Sequence, residues 1–553
     1  MSFAGGRAPW RLEAAQLTDL FCIAGITIAS ALPCLPRLGF YSDDWALLAT
    51  FDSAARNGAL AASVLHDFAA RPVQGLYLAS LFEIFGLDPL GYHIVNILVI
   101  AAGVCLFYLL LVRLHIGRAQ SLAASLLFLM LPQLSTVRVW YSAFQIPFSL
   151  ALMLVSMHAQ LSCSRTGKAA WQVLAIVAAI LSVAAYEIFA PLLAGFAAVL
   201  LVLWWRNSPR DSRSRWWVAL SSAAAVALIL MAIAYKLLLS GRVALIADSN
   251  RYLVGLRQLL RSDYDWRVDS GLNIFAMAQA CFWAPVKGWW TGAASLASGR
   301  SGMEVVVLAI GIAAVCFWRL AARDPRKEMI EPKQILVLGI ASFLLGQAVF
   351  LIVPYIAFTS TGIDNRTQVA AALGVALVFT AILELVAKMV PAWRHAFAAA
   401  VALISAAAFA RLSTIENYWA EAPALQQRIL SAARTDLRTI PANPIIIFDG
   451  VCPYYGPAIV FESWDAGSAL SLSLHRPVTA DVVSPRMSLT PKGLSTSIYK
   501  MPDFYPFSDR LYIYQPYQHR LVRLGSAAAA KAYFTIREAN LCPVGYVARG
   551  VAV

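Results

Sequence analysis

Runs of apolar residues, each about as long as a helix that crosses a bilayer, recur from residue 16 to residue 411 and limit what this chain can become. A segment of this kind satisfies its own backbone hydrogen bonds only as a helix when no water is available. We place spans at 16–36, 91–112, 119–133, 143–161, 170–186, 189–205, 216–239, 303–322, 335–357, 367–390 and 393–411. The fold class is therefore a polytopic α-helical membrane protein with about eleven transmembrane helices. Composition agrees, because 60% of the 553 residues are hydrophobic and only 13% are charged. The run after Arg7 and Arg11 is long enough to span, so we read it as an uncleaved first helix and not a signal peptide.

The formal net charge of +14 raises the question of nucleic acid. The basic residues instead cluster in alternate loops: Arg113 and Arg118, Arg165 and Lys168, the group from Arg206 to Arg215, the group from Arg319 to Lys333, then Lys388 and Arg394. That alternation is the signature of topology and places these loops on the cytoplasmic side, with no nucleic-acid partner. The N-terminus is then cytoplasmic, and three polar segments face outward: 37–90, 240–302 and everything after about 412.

We therefore divide the chain into a transmembrane domain, 1–411, and an extracytoplasmic domain, 412–553. In the second, "NPIIIFDGVCPYYGPAIVF" reads as a strand, a Pro/Gly turn and another strand, so a small α/β or β domain is expected. Its two cysteines, Cys452 and Cys542, are either paired in an oxidising compartment or two buried thiols, and sequence does not choose. The other six lie in or beside apolar runs and carry no metal-site spacing.

Chemistry concentrates in the first outer segment. "YSDDW" puts Asp43 and Asp44 just beyond the first span, and "ARPVQGLYLASLFEIFG" follows with Arg71-Pro72. Two adjacent carboxylates beside a membrane either face water or do a job. One structural alternative is that Ser42 or Asp43 simply caps the helix "WALLATF". Residues 62–86 suit one or two helices lying on the bilayer surface, where Arg71 has the rival role of a headgroup anchor. In the segment 240–302, "CFWAPVKGWW" reads as an interfacial or re-entrant stretch.

On these residues the chain resembles the GT-C superfamily of membrane glycosyltransferases, in which an acidic pair in the first outer loop is followed by a basic residue and proline leading into a helix. The match covers roughly residues 37 to 100, and topology extends it to 411. The resemblance implies an enzyme that moves a sugar from a polyprenyl-phosphate donor to a hydroxyl of a glycan, lipid or protein acceptor. It also implies the extracytoplasmic face of a bacterial inner membrane, and inversion at the anomeric carbon. Such chemistry needs a base for the hydroxyl and cations for the departing phosphate.

Asp43 is the first choice for the base, with Asp44 beside it and the two roles exchangeable. Arg71 is the first choice for the phosphate because its fork makes bidentate contacts, and Arg366, against the positive-inside trend, is the second. Tyr41, Trp45, His93 and Glu187 are candidate cavity residues; Glu187 in its short turn is equally explained by exposure to water. His66 and His93 lack metal-ligand spacing, so no cofactor is fixed, and a divalent cation at the acidic pair stays open. The alternatives in function are a transporter or flippase for lipid-linked saccharides, for which Glu384 and Lys236 near span ends are the residues to inspect, a polysaccharide polymerase or ligase, and a non-catalytic scaffold.

Overall fold

The structure is a computed structural model that describes residues 12–207, isolated positions between 223 and 235, and residues 273–322, 330–351, 358–484, 486–498 and 501–536. Among these, seven helices are long and apolar enough to cross a membrane. A helix pair bent by 54°, Arg118–Leu129 and Pro132–Val139, is apolar enough to be a broken span or a re-entrant loop, and Ala169–Ala185 and Glu187–Val202 are shorter apolar helices. Every expected span falls on one of these except 216–239, of which only isolated positions are described.

The bundle opens with α1 (Ala14–Ala31). Three helices then lie at one end: α2 (Asp43–Arg56), α3 (Leu60–Asp67) and α4 (Pro72–Phe85), before α5 (Pro89–Arg113) returns through the bundle. Pro at the first position of α4 and α5 costs nothing, because those amides have no intrahelical partner. Large apolar side chains such as Phe21, Ile310, Val337 and Leu344 point outward, where a bilayer and not water satisfies them. The stretch "CFWAPVKGWW" is not a loose surface segment. It lies in a helical run through Ala284–Ala297 that packs on the long helix Trp393–Asp436, so closely that a Cβ on Gly292 would sit 2.0 Å from the Ala407 carbonyl oxygen.

The opposite end is closed by a buried ion cluster. Asp19 accepts from Arg118 through both oxygens at 2.6 Å, from Arg319 at 2.9 Å and from the Tyr108 hydroxyl at 2.6 Å. A buried carboxylate is tolerable when its lone pairs are used in this way. Glu384, inspected for a transport role, is likewise held by Gln120 at 2.7 Å and Lys388 at 2.9 Å; Lys236 lies outside the described residues.

The span expected at 393–411 continues as one helix of 44 residues, Trp393–Asp436, which carries the chain out of the bundle and into a small α/β domain. There β1 (Ile445–Phe448) pairs in parallel with β4 (Thr479–Val482) and β8 (Leu511–Gln515), and β9 (Arg520–Arg523) closes the sheet antiparallel, in the order β4-β1-β8-β9. The expected Pro/Gly turn follows β1 as the hairpin β2 (Tyr454–Tyr455) and β3 (Ala458–Ile459). The helix Ala466–Leu474 leads into β4, and β5 (Ser488–Leu489), β6 (Gly493–Ile498) and β7 (Met501–Pro506) form a separate antiparallel sheet. Cys452 is disulfide-bonded, while Cys542 lies outside the described residues.

Pro423 lies inside the long helix and has no amide hydrogen to give the carbonyl of Trp419, one turn earlier. The hydroxyl of Tyr41 donates to that carbonyl at 2.5 Å and accepts the Gly39 amide at 3.0 Å. Gly39 packs against the same proline, where a Cβ would stand 2.7 Å from the ring. Tyr41→Phe strands both the Trp419 carbonyl and the Gly39 amide, and we expect a loss of roughly 1–3 kcal/mol. In a Pro423→Ala background the restored amide satisfies Trp419, so the same substitution costs less; a double-mutant cycle on thermal unfolding in detergent measures the difference.

Candidate active site

The segment from Leu38 to Trp45 folds as a tight entry into α2, and the hydrogen bonds around Tyr41 explain why. Its hydroxyl is clipped to the long helix, and its carbonyl accepts both the Trp140 indole at 2.9 Å and the Asp44 amide at 3.0 Å. Its own amide donates to Asp44 Oδ2 at 2.9 Å. The other Asp44 oxygen accepts the Ser142 amide at 2.8 Å and the Ser142 hydroxyl at 2.5 Å. Asp44 is thus fully buried and committed on both oxygens to holding α2 against the turn Tyr141–Ala143.

Asp43 is the exposed member of the pair. Both carboxylates lie in the first turn of α2, where the helix dipole favours negative charge. The capping alternative is only partly realised, because Ser42 takes the N-cap position without a side-chain bond to the helix. Ser42 has φ of +52°, a left-handed conformation that a serine adopts at a cost of about 1–3 kcal/mol and keeps only where its surroundings dictate it. The surroundings here include the C-terminal domain, since the indole of Trp464 donates to Ser42 Oγ at 3.0 Å.

The same contact brings acid. Asp465 is buried, with one oxygen accepting the Glu462 amide at 2.8 Å and the other without a partner among the described residues. Burial pushes its carboxyl well above the usual range, and the charges of Glu462, Asp43 and Asp44 add in the same direction. Burial likewise pushes Asp44 up to about 7 against the hydrogen bonds from Ser142 and Tyr41.

The two candidate cations differ. Arg71 is forked onto Glu187, with Nε at 3.0 Å and Nη2 at 2.7 Å from its two oxygens, and lies over the Tyr186 ring at 4.6 Å. Glu187 is thereby buried in an ion pair, and the water-exposed alternative does not describe it. Arg366 lies in the turn Ile363–Gln368, with its guanidinium over the ring of Trp140 at 4.6 Å and one bond to the Ile363 carbonyl. Among the described residues it has no carboxylate partner. This turn is fixed by Asn365, which donates to the Pro132 carbonyl and to Ser135 Oγ, and by the Thr136 hydroxyl on the Gly362 carbonyl at 2.6 Å. Trp140 therefore joins the turn that carries Arg366 to the backbone two residues before Asp43.

The remaining candidates are buried. His93 is bonded to the Gly39 carbonyl at 3.1 Å, Trp45 packs edge-on to Phe40, and Tyr41 is fully buried. His66 lies beside Asp67, and no group of three or more His, Cys, Asp or Glu able to hold a metal occurs among the described residues. Arg138 is buried on Glu416 and Ser30 and ties the bent helix pair to the long helix and α1. Sequence reasoning missed Ser142, Trp464, Glu462 and Asp465. Ordinary polar and aromatic residues 98 or more positions from the acidic pair give no local signal of meeting it.

No family model matches the chain, and no curated protein matches it. Among solved structures it is similar to the oligosaccharyltransferase of Archaeoglobus fulgidus, with a TM-score of 0.40 and 13% identity over 86% of this chain. The chain spans 65% of that protein's length. It is also similar to ArnT from Cupriavidus metallidurans, solved with undecaprenyl phosphate, with a TM-score of 0.38 and 13% identity over 84% of this chain and 86% of that one. At these scores the likeness carries no part of the functional argument, which rests on the residues above.

A carboxyl whose native pKa is raised binds a proton that the unfolded chain has already released. Stability therefore falls as pH rises from the ordinary carboxylate range, near 4, to about 7, and levels off above it. Ser142→Ala removes a donor that favours the ionised form, so the decline should extend to higher pH in melting curves recorded across this range. Asp44→Asn places an NH2 against a backbone N–H and should lower the melting temperature more than Asp43→Asn does.

Proposed function

We propose that this chain is a membrane glycosyltransferase that moves a sugar from a polyprenyl-phosphate carrier to an acceptor hydroxyl on the extracytoplasmic face, with inversion. The observation that carries the reading is the joint at Tyr41 and Trp140. It sets an exposed carboxylate, Asp43, and a cation without a carboxylate partner among the described residues, Arg366, on one rigid scaffold at the domain end of the bundle. The resemblance of the Asp-Asp and Arg-Pro segment to GT-C enzymes points the same way.

In this reading Asp43 takes the acceptor hydroxyl proton as the oxygen attacks the anomeric carbon. The bond from that carbon to the phosphate oxygen breaks, and polyprenyl phosphate leaves with the electron pair. Arg366 stabilises the charge that develops on the phosphate, a role suited to a guanidinium that cannot lose its proton. Asp44 is a positioning residue, since its oxygens are already committed. Arg71 is second to Arg366, because recruiting it to a phosphate competes with a bidentate pair whose breakage leaves Glu187 buried and alone.

Transfer assayed in reconstituted vesicles with a polyprenyl-phosphate sugar tests this. Asp43→Asn should abolish transfer, by on the order of a hundredfold or more, while donor binding and folding are retained. Arg366→Gln should raise the donor KM and lower kcat without a change in melting temperature, whereas Arg71→Gln should act mainly on stability. Full activity in Asp43→Asn would overturn the assignment of the base.

A further inference from the structure

The outer domain meets α2 along more of its length than the Trp464 contact. Two adjoining cavities of about 340 and 490 Å³, joined at Ala49 and Ser468, form a groove between α2 and the helix Ala466–Leu474. Both lie within the range of small-ligand sites, about 300–1,000 Å³. One wall is α2, through Ala46, Ala49, Thr50 and Ser53. The other is the domain, through Trp464, Ser468, Thr479, Asp503 and Tyr505.

The lining selects a ligand class. It contains no Lys, Arg or His, so an anion has no counter-charge there. The α2 wall is made of alanines and hydroxyls, which gives a lipid chain little to pack against. The hydroxyls of Ser53, Ser463, Ser468 and Thr479 and the carboxylate of Asp503 make no hydrogen bond or ion pair to any other side chain or backbone group among the described residues, and they line a groove that also presents an indole and a phenol ring. Hydroxyls and a carboxylate bond the hydroxyls of a sugar, and aromatic faces pack its C–H faces.

The groove also has a direction. Asp43, Ala46, Thr50 and Ser53 recur at three- and four-residue spacing and share one face of α2, so the wall of the groove leads to the exposed carboxylate. At that end Trp464 is fastened to Ser42, the residue before Asp43. We infer that the groove between α2 and the outer domain binds a neutral oligosaccharide acceptor and presents its hydroxyl to Asp43. The final step, presentation to Asp43, rests on the function proposed above; the binding of a neutral glycan does not.

Full-length protein in nanodiscs, probed against an array of neutral oligosaccharides, charged oligosaccharides and Ser/Thr-containing peptides, tests the inference. Neutral oligosaccharides should be retained. Ala49→Trp, which fills the groove from α2, and Ser468→Trp, which fills it from the domain, should each weaken that retention roughly tenfold or more. Binding of undecaprenyl phosphate should be unchanged in both. Retention of peptides or charged glycans alone, of nothing, or of neutral glycans equally by both variants would overturn it. Transfer lost in Asp43→Asn with glycan retention intact supports both readings. Transfer unaffected by Asp43→Asn, with retention that Ala49→Trp weakens, sinks the catalytic reading and leaves the glycan groove standing.

Discussion

A single missing amide organises the end of the bundle that meets the C-terminal domain. Pro423 interrupts the hydrogen-bond ladder of a 44-residue helix and leaves the Trp419 carbonyl to be satisfied from outside. Tyr41 does so, and the consequence spreads through its other atoms: its amide holds Asp44, and its carbonyl holds Trp140. Trp140 in turn carries the guanidinium of Arg366 on its ring. The long helix therefore both supports the outer domain and fixes the acidic segment, and these two tasks are coupled at one carbonyl oxygen.

The two adjacent aspartates divide their labour because helix geometry points neighbouring side chains about 100° apart. One turns inward and is used up by three donors; the other turns outward at the head of α2. Burial raises the first and makes it a poor permanent anion, so the protonation-sensitive member of the pair is the one held in the scaffold. Asp465, carried by the C-terminal domain, is raised by its burial and in part by the charges of Asp43 and Asp44. The strained backbone at Ser42 fits this picture, since it lies where the membrane bundle, α2 and the outer domain are pulled together.

The ion pairs show why charge alone is a poor guide to site residues. In sequence Arg71 is the first choice for the phosphate because its fork makes bidentate contacts, yet that fork is occupied by Glu187. Arg138, between the third and fourth expected spans, is buried on Glu416. Arg366 had the weakest sequence context and is the cation for which no carboxylate partner is found among the described residues. Each outcome turns on a partner from 116 or more residues away in the paired cases, which no local window contains.

Hydropathy alone determined the membrane class, and the spans of α1, α5 and the helices that follow, because a backbone in lipid has no choice but to close its own hydrogen bonds. The alternation of apolar run and Pro/Gly turn likewise announced a C-terminal domain with strands, and the pair of acids after the first span drew attention to the head of α2. What only the tertiary structure decided is which acid is committed, which arginine is engaged and where the outer domain docks. Those depend on Ser142, Glu187, Trp140 and Trp464 meeting residues far away in sequence, and side-chain contacts across that distance are set by packing, not by any pattern along the chain.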